Sequence, residues 1–116
     1  MKNQSFQRRL GFALAGIRTA FQSEASFRIQ TVFAGLALFL LIALRPQAVW
    51  WALTTVTVAL VLAAELINTS LEHVIDHLHP EKHPMIEKAK DCAAGAVLIL
   101  SLASLGVAVA LIWSHT

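Results

Sequence analysis

Three apolar runs, residues 31–44, 48–64 and 92–113, divide the chain, and none of them contains an ionisable side chain. The third matches the roughly 20 residues that a helix needs to cross a hydrocarbon core of about 30 Å, and the first two reach that length by extending into their flanks. Helix is the form expected of all three. A spanning segment must pair its own backbone groups, and a chain of this size has too few segments to close a barrel. The pattern predicts spans at about 27–44, 48–66 and 91–113. Between the first two, "RPQ" at 45–47 predicts a tight break in which Pro46 stops the helix, and Trp50 and Trp51 follow as interfacial anchors. Upstream, Phe6, Leu10, Ala13, Leu14, Ile17 and Phe21 recur at helical spacing, with Arg8, Arg9, Arg18 and Gln22 largely off that face. This predicts an amphipathic helix at about 4–23 lying on the membrane surface.

Composition agrees with a chain solvated by lipid. It is 57% hydrophobic and 14% charged with a mean hydropathy of +0.66, against about 25% charged in an average soluble protein. The expected class is an all-α membrane protein in which residues 1–116 form one domain. A net charge of +2 without a basic stripe excludes nucleic acid as a partner. The positive charges report orientation instead: Lys2, Arg8, Arg9 and Arg18 precede the first span, Arg45 alone lies in the first loop, and Lys82, Lys88 and Lys90 lie before the third. The N-terminus and second loop are expected to be cytoplasmic and the C-terminus outside. Arg18 interrupts the apolar stretch near the start, so no cleaved signal peptide is expected. The sole cysteine, Cys92, excludes an intramolecular disulfide and is expected to be a buried thiol.

Candidate chemistry begins where the second apolar run ends. In "AELINTSLEHVID", 64–76, the spacing of Glu65, Asn68, Glu72 and Asp76 by three, four and four places them on one helix face, in a helix expected to leave the membrane and continue to about 78. A carboxylate at the edge of an apolar segment is a functional candidate, unless it simply reaches the headgroups. Three carboxylates together repel unless a cation lies among them, and oxygen donors suit Mg²⁺ bridged to phosphate. The bland alternative is a solvated helix end. "HLHPEKHP" is expected to end the helix, with Pro80 and Pro84 as breakers. Lys90 and Asp91 return to the same level before the third span, and Glu24 in "SEASFRIQ" adds a fourth carboxylate. Lys90 can neutralise phosphate or anchor the span. His73 and His77 share a face, but no ligand spacing supports zinc, and His83 is a candidate contact for a nucleotide base. There is no Walker A motif, glycine-rich phosphate loop or kinase catalytic loop.

"AELINTSLEHVID", "HPEKHPMIEKAKDCAAGAV" and the upstream "SEASFRIQ" together closely resemble the prokaryotic diacylglycerol kinase family of small integral-membrane lipid kinases, from about Gly11 to the end of the third span. The resemblance implies a homotrimer in the bacterial inner membrane, with composite active sites on the cytoplasmic side that use ATP and Mg²⁺. It implies that Glu65 is the general base toward the lipid's primary hydroxyl, that Asn68 supports it, and that Glu24 and Glu72 hold the metal. It implies ATP contacts at Phe12, Glu24, Glu72, Asp76, Glu81, Lys82, His83, Lys90 and Asp91. Lipid contacts are implied at Arg18, Ser26, Phe27, Arg28 and Glu65, with Arg28 also suited to anchoring at headgroups. The chain departs from the diacylglycerol branch at Ser5, Phe12 and Lys82, where that branch has an arginine, a tyrosine and an aromatic residue.

The expected product is phosphatidic acid from 1,2-diacylglycerol. "HPEKHP" and "AKDCAAGAV" are also similar to the undecaprenol kinase branch, which leaves undecaprenol as the alternative acceptor. A small oligomeric transporter is the competing class, although three spans and a carboxylate cluster near water fit it less well than a lone mid-membrane glutamate would. A non-catalytic assembly subunit that docks through the polar face is the third reading.

Overall fold

A computed structural model describes residues 3–116; Lys2, counted above among the orienting charges, lies outside the described residues. The described chain is all-helical: α1 (Phe6–Ser23), α2 (Ala25–Leu44), α3 (Ala48–Leu78) and α4 (Pro84–Ser114). Three of them, α2, α3 and α4, are long and apolar enough to cross a membrane.

Each boundary has a local cause. Ser5 caps α1 by accepting the Arg8 N–H at 3.3 Å. Glu24 takes an extended conformation, φ −119° and ψ 111°, so one residue separates α1 from α2. Arg45 closes α2 in the left-handed region at φ 48°, with its N–H bonded to Leu41 O, and Pro46 prevents continuation. The loop of residues 45–47 therefore turns the chain at once into α3.

The fourth helix corrects the sequence reading. Pro84 is expected from the sequence as a breaker, but the helix starts at Pro84 itself, ahead of the span expected from about 91. Proline suits the first helical turn because its missing N–H would have had no intrahelical acceptor there. His83 completes the start, its Nδ1 accepting the Met85 N–H at 3.1 Å. The connection between α3 and α4 is thus only residues 79–83, and the segment "MIEKAKD" is helical.

α3 packs most extensively on α4, then on α2, and also meets α1, whereas α2 and α4 barely touch. Gln30 Nε2 donates across the α2–α4 gap to Ser101 Oγ at 3.1 Å, beside an apolar groove of about 370 Å³. On α4 the face toward its neighbours carries Ala93, Val97, Ser101, Ser104, Ala108 and Leu111, mostly small side chains that allow close approach. Cys92 lies off that face and is exposed, contrary to the buried thiol expected.

Fully buried apolar residues among those described are few: Ala20, Phe27, Leu41, Val61 and Leu111. A water-soluble domain of this length would bury far more. The long apolar faces of α2 and α4, and Phe6, Leu10, Leu14, Ile17 and Phe21 on α1, all stand exposed.

Candidate active site

The site is built around the middle of α3, where the apolar run gives way to polar residues. Val61, Glu65 and Thr69 recur every four residues and are buried, so this stripe of α3 faces protein. Glu65 is 3% exposed. A carboxylate so enclosed needs a donor, and Ser26 supplies one: its Oγ donates to Glu65 Oε2 at 3.3 Å.

One turn further along, Asn68 Nδ2 donates to Glu72 Oε1 at 3.3 Å, an i to i+4 pair along the same helix face. Asn68 Oδ1 is sealed and has no hydrogen-bond partner among the described residues. The corner between α1 and α2 brings Glu24 to the same region, where its Oε1 lies 3.9 Å from His73 Nε2. This corner is held by Arg28, whose Nη1 donates to Phe21 O at 2.8 Å and Gln22 O at 3.1 Å, satisfying the last carbonyls of α1.

At the far end, Lys90 Nζ of α4 donates to Asp76 Oδ1 of α3 at 2.6 Å. The bond to Asp76, reinforced by the charges of Asp76, Glu72 and Glu87, holds the Lys90 ammonium above the usual lysine range, so it stays cationic at neutral pH. The pair ties the two longest helices together across the short loop.

The candidate residues therefore fall into groups. Ser26 with Glu65, Asn68 with Glu72, Glu24 with His73, and Asp76 with Lys90 are brought into contact. Asp91 is exposed on the first turns of α4, and Glu81 is exposed in the loop. Lys82 lies 3.9 Å from Glu87. Phe12 and Arg18 are exposed on α1.

Three of the candidate residues also have structural contacts within the chain. Phe27, expected at the lipid, is 4% exposed and packed inside the chain. Arg28, expected at lipid headgroups, uses its guanidinium to cap α1. His83, expected to contact a nucleotide base, uses its Nδ1 to cap α4. His73 beside Glu24 was considered only with His77 as a weak zinc pair, and no group of three or more metal-ligating acidic, histidine or cysteine side chains is assembled among the described residues. Gln30, bonded to Ser101, is a further polar contact beside the site, and its sequence signal is a polar side chain one turn after Ser26.

Comparison with known proteins places this arrangement. The family model described as prokaryotic diacylglycerol kinase matches residues 11–112. The diacylglycerol kinase of Escherichia coli strain K12 is 33% identical over 105 residues, covering 90% of this chain and 86% of that protein. The Synechocystis diacylglycerol kinase is 40% identical over 95 residues, covering 80% of this chain and 54% of the relative. The Haemophilus influenzae diacylglycerol kinase is 32% identical over 88 residues, with 76% and 75% covered. With a family model that matches residues 11–112, most of the chain, the chain belongs to the prokaryotic diacylglycerol kinase family.

Proposed function

We propose that this chain transfers the γ-phosphoryl group of ATP to the primary hydroxyl of a membrane lipid, 1,2-diacylglycerol, to give phosphatidic acid. The observation that carries this reading is Glu65, a carboxylate 3% exposed, directly after the apolar run and in line with Asn68, Glu72 and Asp76. That position meets a lipid hydroxyl at headgroup depth on one side and a water-borne nucleotide on the other.

Glu65 takes the hydroxyl proton as the lipid oxygen bonds to the γ-phosphorus. The bond from that phosphorus to its bridging oxygen breaks, and ADP leaves with the electron pair. The carboxylate must then be free of other donors on at least one oxygen, and Oε1 has no partner among the described residues. Lys90, held beside Asp76, is a cation within the polar cluster that can neutralise phosphate charge.

Magnesium fits the donor set. Glu24 and Glu72 would hold it: both are partly accessible, and Glu24 lies beside His73, the residue that follows Glu72 on α3. Two carboxylates are the usual protein share for this ion, which takes its remaining ligands from water and phosphate. When bound, it supplies neutralisation of charge on the transferring phosphates. Asp91, Glu81, Lys82 and Phe12 belong to the nucleotide contacts in this reading, and Arg18 to the lipid side.

The active unit is a homotrimer with composite sites. The small core of the single chain leaves apolar faces that lipid and neighbouring copies would share. The exposed apolar residues of α1 lie on the inner-membrane surface, with Arg8, Arg9, Arg18, Lys82, Lys88 and Lys90 on the cytoplasmic side.

The test is phosphoryl transfer by purified protein in mixed micelles supplied with labelled ATP, Mg²⁺ and one lipid at a time. Labelled phosphatidic acid from diacylglycerol is expected. Product from undecaprenol alone would replace the acceptor, and a folded trimer inactive on both would overturn the reading.

A further inference from the structure

Glu65 has two carboxylate oxygens in different situations. Oε2 accepts the Ser26 hydroxyl at 3.3 Å, while Oε1 has no hydrogen-bond partner among the described residues. The sealed and unpartnered side-chain polar atoms among the described residues are Thr54 Oγ1 and Asn68 Oδ1, so Glu65 Oε1 retains an opening to its surroundings. Ser26 sits on the first turn of α2, and the next polar side chain on that face, Gln30, spends its amide donor on Ser101. No other side chain among the described residues donates to the carboxylate. Ser26 is itself exposed, so its hydroxyl is not there to fill a core.

We propose that Ser26 is a positioning residue for the base: its hydroxyl fixes Glu65 Oε2, so that Oε1 is the oxygen presented to the acceptor lipid. The inference rests on the reading of Glu65 as general base. A glutamate has three side-chain torsions, and one anchored oxygen selects the rotamers that keep the other aimed at the reacting hydroxyl.

The experiment compares wild type, Ser26→Ala, Ser26→Thr and Glu65→Gln in micelles, with kcat and KM measured separately for lipid and for MgATP. Ser26→Ala is expected to lower kcat about tenfold, the weight of one hydrogen bond to a charged group, with KM for MgATP unchanged. Ser26→Thr keeps a hydroxyl and is expected to recover most of that loss. Wild-type kcat in Ser26→Ala overturns the inference, as does a Ser26→Thr no faster than Ser26→Ala. A raised KM for lipid at unchanged kcat also overturns it, because the hydroxyl would then be touching lipid. If Glu65→Gln stays active, the base reading itself fails; if Glu65→Gln is silent while Ser26→Ala is normal, only the role of Ser26 falls.

Discussion

α3 and α4 are each 31 residues long and each apolar enough to span a membrane, yet they serve the molecule differently. α3 buries Thr54, Val61, Glu65 and Thr69 in one stripe and meets all three other helices, whereas α4 buries only Leu111 and leans mainly on α3. Length and hydropathy place a helix in lipid but do not say which helix is central. The central one can hold a carboxylate out of water, because its neighbours supply the hydrogen-bond donors that lipid lacks.

The sharpest way to break this comparison is to remove the charge from the buried stripe. Glu65→Gln keeps the side chain's shape and is expected to lower lipid phosphorylation by about 10²–10⁴-fold, the usual range for a general base. MgATP binding, measured by calorimetry, should persist; retained turnover would strip α3 of its special role. Next come Glu24→Ala and Glu72→Ala, each expected to weaken Mg²⁺-dependent nucleotide binding by about tenfold or more while leaving Mg²⁺-free binding little changed. Equal binding in both variants and wild type would mean that the acidic face is a docking surface.

A smaller effect is expected where the two long helices are joined. Asp76→Asn removes the charge that fixes Lys90, and should raise KM for ATP by about threefold with little change in Tm, since exposed ion pairs contribute little to stability. A large fall in Tm would show that this pair, more than apolar packing, holds α4 to α3. The smallest effect is a gain. Thr54 Oγ1 is sealed without a partner, so Thr54→Val is expected to stabilise by about 1 kcal/mol, read as longer retention of activity on heating. Destabilisation would mean that the hydroxyl finds a partner within the chain, such as a carbonyl of the preceding turn of α3.

Much of this was legible in the chain. Apolar runs without charge fixed the three spans, because lipid penalises any ionisable residue within them, and the spacing of Glu65, Asn68, Glu72 and Asp76 fixed their common face. What escaped was set by tertiary contact or by terminal hydrogen bonding. Pro84 reads as a breaker in isolation and acts as a starter once His83 caps the turn. Arg28 reads as a surface cation, but the carbonyls it caps exist only because α1 ends at Glu24. The bond from Ser26 to Glu65 joins residues 39 apart, a separation no local periodicity reports. Cys92 was misjudged because cysteine is usually buried, whereas α4 turns that position away from its neighbours.

The turn at residues 45–47 has a mechanical meaning. It joins α2 and α3 tightly at the end opposite the site, with Arg45 at φ 48° leaving no slack. α2 has 20 residues, so that turn lies about 30 Å from the end of the helix that carries Ser26. If nothing held that end, a tilt of about 1° would move it by roughly 0.5 Å, enough to lose a 3.3 Å hydrogen bond. Helices adjust their tilt to the thickness of the bilayer around them. The Ser26–Glu65 contact is held against such tilting by the corner between α1 and α2, where Arg28 is bonded to the end of α1 and Phe27 is packed inside the chain.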